Sequence, residues 1–351
     1  MVTERGHNSH VTVGARFSGA VSAVEDVVSV DELGELISGR IGAVVPHDGY
    51  MLFGLDPVTG VGCFHTRRHG YRDEAARRFL RAYLMDGADG VPCPFLTALG
   101  SRVVVLTAGS PESQRSARLP EVVAEGFGSE MRIGLTWGGV TWGGLVLTRE
   151  LGSRPFSGDE ATHAECLAAP LGATVRQFVT GRGLRPSRHA LLPGVVVLGA
   201  DDTITMSTKA GLEWLGTLGP DCAFGDSARL GGALWTIAEQ ARLDQSRAVT
   251  RVPTRDGWVN VHAQLLEGAG REVVVTVQSA TATTLLPAVV AWYGLTPRET
   301  MVAALALEGL AYKQIARRLD MSPYTVNDHF KAIYRKTGVT GRDEFAAGLL
   351  A

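Results

Sequence analysis

Two helix starts of the same design lie close together near the end of this chain. They limit its fold more tightly than any other feature. Thr296-Pro297-Arg298-Glu299 is a capping box with proline at the first helical position, and Ser322-Pro323 repeats the opening. In each, a hydroxyl can accept an orphan N–H, and proline sits where its missing N–H is not needed. After the first start, Val302, Leu305, Ala306 and Leu310 keep helical spacing, and Gly309 stands where that helix should stop. Ala311 to Leu319 reads as a second short helix with Ile315, Ala316 and Leu319 inward. In the third, Val326, Phe330, Ile333 and Thr337 form an inward stripe. Tyr324, Asn327, Asp328, Lys331 and Arg335 lie opposite, and such groups can reach base edges and phosphates. Two short helices, a tight turn and a polar-faced second helix describe a helix-turn-helix.

The residues LTPRE, Lys313-Gln314-Ile315-Ala316, SPYTV and an Ile-x-x-Lys-x-Gly-Val exit together resemble the four-helix LuxR/GerE-type DNA-binding domain, in wording similar to a branch common in actinobacterial regulators. The resemblance covers the last part of the chain, residues 294–351. It implies an all-α unit that binds double-stranded DNA as a homodimer, with the helix after the recognition helix contributing. Carried over by position, it implies DNA contacts at Lys313, Ser322, Tyr324, Thr325, Asn327, Asp328, Lys331, Arg335 and Lys336. Asn327, Asp328 and Lys331 would face the major groove. Lys313, Thr325, Arg335 and Lys336 would hold backbone. Two positions depart from the family pattern: lysine is usual where Asn327 stands, and glycine is common where Asp320 stands. Asp320 is therefore expected in a left-handed turn conformation.

Upstream, the chain is too long for one core. Its 351 residues predict two or three domains. Hydrophobic content of 45% and charged content of 20% describe a soluble globular protein. The net charge of −2 does not mark the whole chain as a polyanion binder, but three of its four lysines fall in the helix-turn-helix segment. Cys63, Cys93, Cys166 and Cys222 are too scattered for a disulfide scaffold or a zinc finger. No basic start followed by an apolar core suggests a leader, and no apolar run is long enough to span a bilayer. A cytoplasmic protein without a membrane partner is expected.

Residues 1–19 read as a flexible tail. Residues 20–180 carry a helix over Val24 to Val44, hairpin strands Tyr50–Leu55 and Val61–Thr66, and an amphipathic helix from Asp73 to Asp86. Val91–Leu99 and Ala108–Leu119 read as loops. A second hairpin, Met131–Trp137 with Thr141–Arg149, turns at Gly138-Gly139, and a long helix starts at the Ser157 capping box and is expected to kink at Pro170. Hairpin, Arg-Pro-Phe-Ser loop and long helix resemble the end of a GAF domain. Thr180 to Ser187 reads as a linker. Residues 188–280, with two strands, helices and three more strands, resemble a PAS domain. Residues 281–293 form a connector helix, broken or kinked at Pro287. Both connectors are expected to be exposed. The fold class is thus two α+β sensory domains followed by an all-α domain. A small-molecule or protein signal received by the first two would control the third.

No nucleophile elbow, phosphate loop or dinucleotide fingerprint is present, so no enzyme and no cofactor is expected. The glycines of WGGVTWGG read as turn and packing residues, and Trp137, Trp142, Tyr50, Phe53 and Phe64 read as core, with the lining of an apolar pocket as the alternative. Cys63 and His65, two apart on one strand, with His69 nearby, offer an alternative. Thiolate and imidazole suit zinc, iron or haem, which would make the chain a redox sensor. A third reading keeps the helix-turn-helix fold as a protein-interaction module only.

Overall fold

In the computed structural model, the structure describes residues 27, 29–72, 74–78, 103–111, 113–116, 118–181, 184–185, 191–218, 232–243, 247–254, 256–268 and 270–349. The expected tail, the loop at Val91–Leu99, Cys93 and Cys222 lie outside the described residues. So do most of the helix read from Asp73 to Asp86, of which residues 74–78 are helical, and most of the Thr180–Ser187 linker's flank up to residue 190.

The first unit runs α1 (Val30–Gly42), β1 (Gly49–Leu55), β2 (Gly62–Arg68), β3 (Val103–Thr107), α2 (Leu119–Ala124), β4 (Phe127–Trp137), β5 (Val140–Glu150) and α3 (Gly158–Thr180). Its antiparallel sheet has the order β2-β1-β5-β4-β3. Gly138 and Gly139 take φ of 59° and 78°, the double left-handed turn that a tight hairpin requires. Helices α1 and α3 cover one sheet face through Leu33, Ile37, Leu167, Leu171 and Val175, which meet Leu52, Ile133, Leu145 and Leu147. The first helix begins at Val30, where Ser29 accepts from the Glu32 amide at 3.1 Å. Helix α3 continues through Pro170 without a break.

Two elements lie outside those expected from the sequence. Strand β3 was unassigned, and the stretch read as a loop to Leu119 ends where α2 begins with Pro120 in its first turn. Both lie over a polar core. Glu130 is fully buried, gripped by Arg118 at 2.8 and 3.0 Å, approached by Arg132 at 3.3 Å and bonded by the Tyr71 hydroxyl. Burial alone would raise this carboxyl's pKa; the two guanidiniums and the hydrogen bonds hold it below its ordinary value. On the sequence, such charges alternate like a solvent-facing strand edge.

The second unit runs β6 (Gly194–Leu198), β7 (Ile204–Ser207), α4 (Lys209–Thr217), α5 (Gly232–Leu243), β8 (Arg247–Thr254), β9 (Gly257–Leu265) and β10 (Val273–Ser279). Its sheet order, β7-β6-β10-β9-β8, repeats that of the first sheet when each is counted from its own first strand. Trp214, Leu215, Ile237, Ala238 and Ala241 pack on Val196, Val259, Val261, Val273 and Val275. Helix α4 crosses β6 at a glycine pair: a Cβ on Gly211 would stand 2.4 Å from the Val195 carbonyl oxygen.

One face of the connector is buried, which corrects the expectation of exposure, while Thr281, Thr283, Pro287 and Gly294 stay exposed. Helix α6 (Ala282–Tyr293) runs past Pro287 unbroken and buries Leu285, Ala288, Val289, Trp292 and Tyr293. Its sequence is apolar on most sides, so an exposed position would leave a large apolar surface in water. Leu184, in the short linker, is buried too, and its amide donates to the Thr337 carbonyl at 3.0 Å. The two sheet units are joined by an ion pair: Arg251 Nη1 reaches Asp56 Oδ2 at 2.7 Å, both side chains being buried. The Arg251 amide reaches the same oxygen at 3.1 Å. No helix among the described residues is long and apolar enough to cross a membrane.

Native-state proteolysis is therefore expected to spare every peptide bond of α6; early cleavage between Ala282 and Tyr293 would contradict its burial. Acid should also act through Glu160. Burial raises its pKa, but hydrogen bonds from Arg149 and the Ser157 amide, with the Arg149 charge, outweigh that and bring it down to about 2 from 4.5. A carboxyl with a depressed folded value contributes stability that is complete above its unfolded value and is lost as pH falls through the folded one. A Glu160→Gln variant should accordingly lose stability at neutral pH and show a flatter stability profile between pH 4.5 and 2 than the parent, as read by thermal melts.

Candidate nucleic-acid interface

The last four helices are α7 (Pro297–Leu307), α8 (Tyr312–Leu319), α9 (Pro323–Thr337) and α10 (Arg342–Leu349). At the start of α7 the capping box is complete: the Glu299 amide donates to Thr296 Oγ1 at 3.3 Å, and the Thr296 amide donates to Glu299 Oε2 at 2.7 Å. Ser322 Oγ accepts the Thr325 amide at 3.0 Å and starts α9. Asp320 ends α8 at φ 53° and ψ 54°, the left-handed turn expected of it. Three residues, Asp320 to Ser322, thus turn the chain from α8 into α9. Val326, Phe330, Ile333 and Thr337 are buried on α9 and meet Val302, Ile315, Ala316 and Phe345. The Tyr312 ring packs on Phe330 at 4.6 Å, and its hydroxyl lies 3.3 Å from that of Tyr334. Burial, then the Tyr312 bond, raises the Tyr334 pKa.

The outer face of α9 is open. Ser322, Tyr324, Thr325, Asn327, Asp328, Lys331 and Arg335 are all exposed, Tyr324 to 84%. Lys331 Nζ lies 3.2 Å from Asp328 Oδ1, one turn back on the same face. Such an exposed pair is weak in water and can open for another partner. Lys313 is exposed on α8, and Arg317 stands four residues further along the same side. Arg317 and Arg318 were not singled out from the sequence; their adjacency at the end of the scaffold helix was the available signal. Lys336 differs from the other cations. Its ammonium is 2.6 Å from Glu299 Oε2 and 2.8 Å from the Gly294 carbonyl. It fastens α9 to the start of α7, and the structure does not leave it open with the others.

Residues 294–347 match the family described as bacterial regulatory proteins, luxR family. The C-terminal unit is a LuxR/GerE-type helix-turn-helix domain. Among relatives, this chain is 29% identical over 209 residues to the provisionally named HTH-type transcriptional regulator Mb0914c of Mycobacterium bovis, the match covering 55% of this chain and 23% of that protein. The like-named Rv0890c of Mycobacterium tuberculosis has the same identity and coverage. The chain thus spans about a quarter of the length of these curated relatives. Among solved structures, Escherichia coli SdiA matches at 13% identity and TM-score 0.37, over 96% of this chain and 97% of that one. CepR2 of Burkholderia cenocepacia, titled an N-acylhomoserine lactone dependent LuxR family transcription factor, matches at 16% identity and TM-score 0.32, over 49% of this chain and 97% of that one. At such scores neither likeness bears on the fold or ligand of this chain.

The metal alternative fares differently. Cys63 is buried in the core, His65 is half-buried on β2, and His69 is exposed beyond the strand end. Among the described residues, no three His, Cys, Asp or Glu side chains gather where they could hold a metal.

The LuxR-type domain yields a test of the Lys336 tie. Glu299 is 7% exposed at its side chain and Lys336 25%, so removing the cation strands a largely buried carboxylate. Lys336→Ala is expected to destabilise the domain by about 1–3 kcal/mol. A chemical-denaturation midpoint equal to the parent's would show that the pair contributes nothing.

Proposed function

We propose that this chain is a sequence-specific transcription regulator, binding double-stranded DNA through α9 and controlled by a signal at its two sheet units. The observation that carries this reading is the open polar face of α9, beside exposed cations of α8, in a LuxR-type domain. Asn327, Asp328 and Lys331 cluster toward the first half of that helix, the half that enters the major groove in helix-turn-helix proteins. An amide can pair bidentately with adenine, a lysine reaches guanine acceptors, and a carboxylate accepts from the cytosine amino group. Lys313, Arg317 and Arg335 then hold phosphates. Ser322, Tyr324 and Thr325 sit where the helix start approaches the backbone. Lys336 we assign to the domain's own integrity.

The first unit we read as GAF-like and the second as PAS-like, with boundaries near residues 20–180 and 188–280, the connector at 281–293 and the DNA-binding domain from 294. Their shared strand order supports kinship in design, and a small-molecule or protein signal would be received by these two units. The protein would act in the cytoplasm as a homodimer on a two-fold site. We read its action as binding and not as catalysis.

Binding-site selection tests the reading. Asn327→Ala and Lys331→Ala should each relax preference at one or two base positions, at about 1–3 kcal/mol per lost contact. Arg335→Ala should weaken all DNA alike and lower the log–log salt slope by about one. Unchanged preference at every position in both Asn327→Ala and Lys331→Ala would remove α9 as the reader.

A further inference from the structure

We propose that Arg176, in the first sheet unit, is a positioning residue for α9, acting through the C-terminal end of the connector helix α6. The last carbonyls of a helix have no intrahelical partner and carry the negative end of its dipole, so they take cations. Two such carbonyls are capped here from two different units. Arg176 Nε of α3 donates to the Trp292 carbonyl at 3.1 Å. Lys336 Nζ of α9 donates to the Gly294 carbonyl at 2.8 Å. Between them, Gly294 takes φ 64° and ψ 47°, turning the chain out of α6 into the LuxR-type domain.

Packed side chains surround the Trp292 end of the junction. The Arg176 guanidinium stands 6.0 Å from the ring centroid of Trp142, a buried residue of β5, so the sheet sets its position. Trp292 is stacked on Trp258 of β9 with ring centroids 3.7 Å apart. Tyr293 and Trp292 are both buried, so the junction lies largely out of water. Hydrogen bonds in such surroundings are stronger than in water. At the other end of α6, Arg251 Nε donates to the Thr284 carbonyl at 2.6 Å while paired with Asp56. Guanidiniums therefore hold α6 at both ends. A shift of β5 or α3 moves the Trp292 carbonyl, and α9 is tied two residues further on.

The functional meaning of this coupling rests on the proposed role of α9 in reading DNA, while the coupling can be measured without DNA. Hydrogen exchange would be followed in full-length Arg176→Gln and Arg176→Lys proteins. In Arg176→Gln, exchange should rise about tenfold at Leu295, whose amide is held by Val290, and also at Gly338 and Val339, just past the end of α9, whose amides are held by Tyr334. The β4–β5 hairpin amides should not change, which separates coupling from general loosening. Arg176→Lys keeps a cation and should recover most of the protection. In operator binding, the Arg176→Gln and Lys336→Gln pair should depart from additivity by about threefold or more. Faster exchange confined to α3 and α6, with parental rates at Gly338 and Val339, would overturn the proposal. An additive cycle would do the same. If the parent protein selects no DNA sequence, the proposed function fails and the exchange pattern alone decides the coupling.

Discussion

Burial of the connector helix is the constraint on which the rest of this structure depends. An isolated helix as apolar as α6 would have no stable place in water, and hydrophobic burial is the dominant favourable force available to it. Here its surface is divided among three neighbours: α3 of the first unit, β9 of the second and the helices of the LuxR-type domain. Apolar packing is not directional, so it cannot by itself fix a register. The hydrogen bonds to Thr284, Trp292 and Gly294 supply that direction.

Buried charge plays the same ordering role inside the sheet units. Glu130 with Arg118 and Arg132, Asp202 with Arg242, and Asp56 with Arg251 are all ion pairs or clusters taken out of water. Such groups add little net stability over well-packed apolar residues, but removing one partner is costly. Asp56 illustrates the economy of the arrangement. The same carboxylate accepts the Val58 amide at 2.9 Å, which shapes the β1–β2 turn, and binds Arg251 of the other unit. Local turn geometry and the contact between units thus share one residue.

The helical end of the chain was legible because its signals are local. A hydroxyl followed by Pro at Thr296 and Ser322, an inward stripe from Val326 to Thr337, and a left-handed stop at Asp320 each act within a few residues. The outward polar face of α9 followed from the same spacing. Strand β3 carries strand-forming residues, Val103 to Thr107, but its pairing with β4 across the first unit is not a local signal. The burial of α6 was misread because the neighbours that cover it are distant in sequence. Lys336 shows the limit most clearly. A lysine beside Arg335 looks like another phosphate contact, yet Glu299, a helix away, claims its ammonium. Helical periodicity tells which side a residue faces, but not whether a charge is already taken.

The repeated strand order has a consequence for how the two sheet units meet. In each sheet the second and third strands of the unit are the edges. The edge β2 of the first sheet lies beside the edge β8 of the second, and the Thr250 hydroxyl donates to the Gly62 carbonyl at 3.1 Å. An uncovered sheet edge is a template for pairing with other chains. Each unit therefore shields an edge of the other, and a chain cut between them would uncover both. At this contact each sheet covers an edge that strand pairing with another chain would otherwise use.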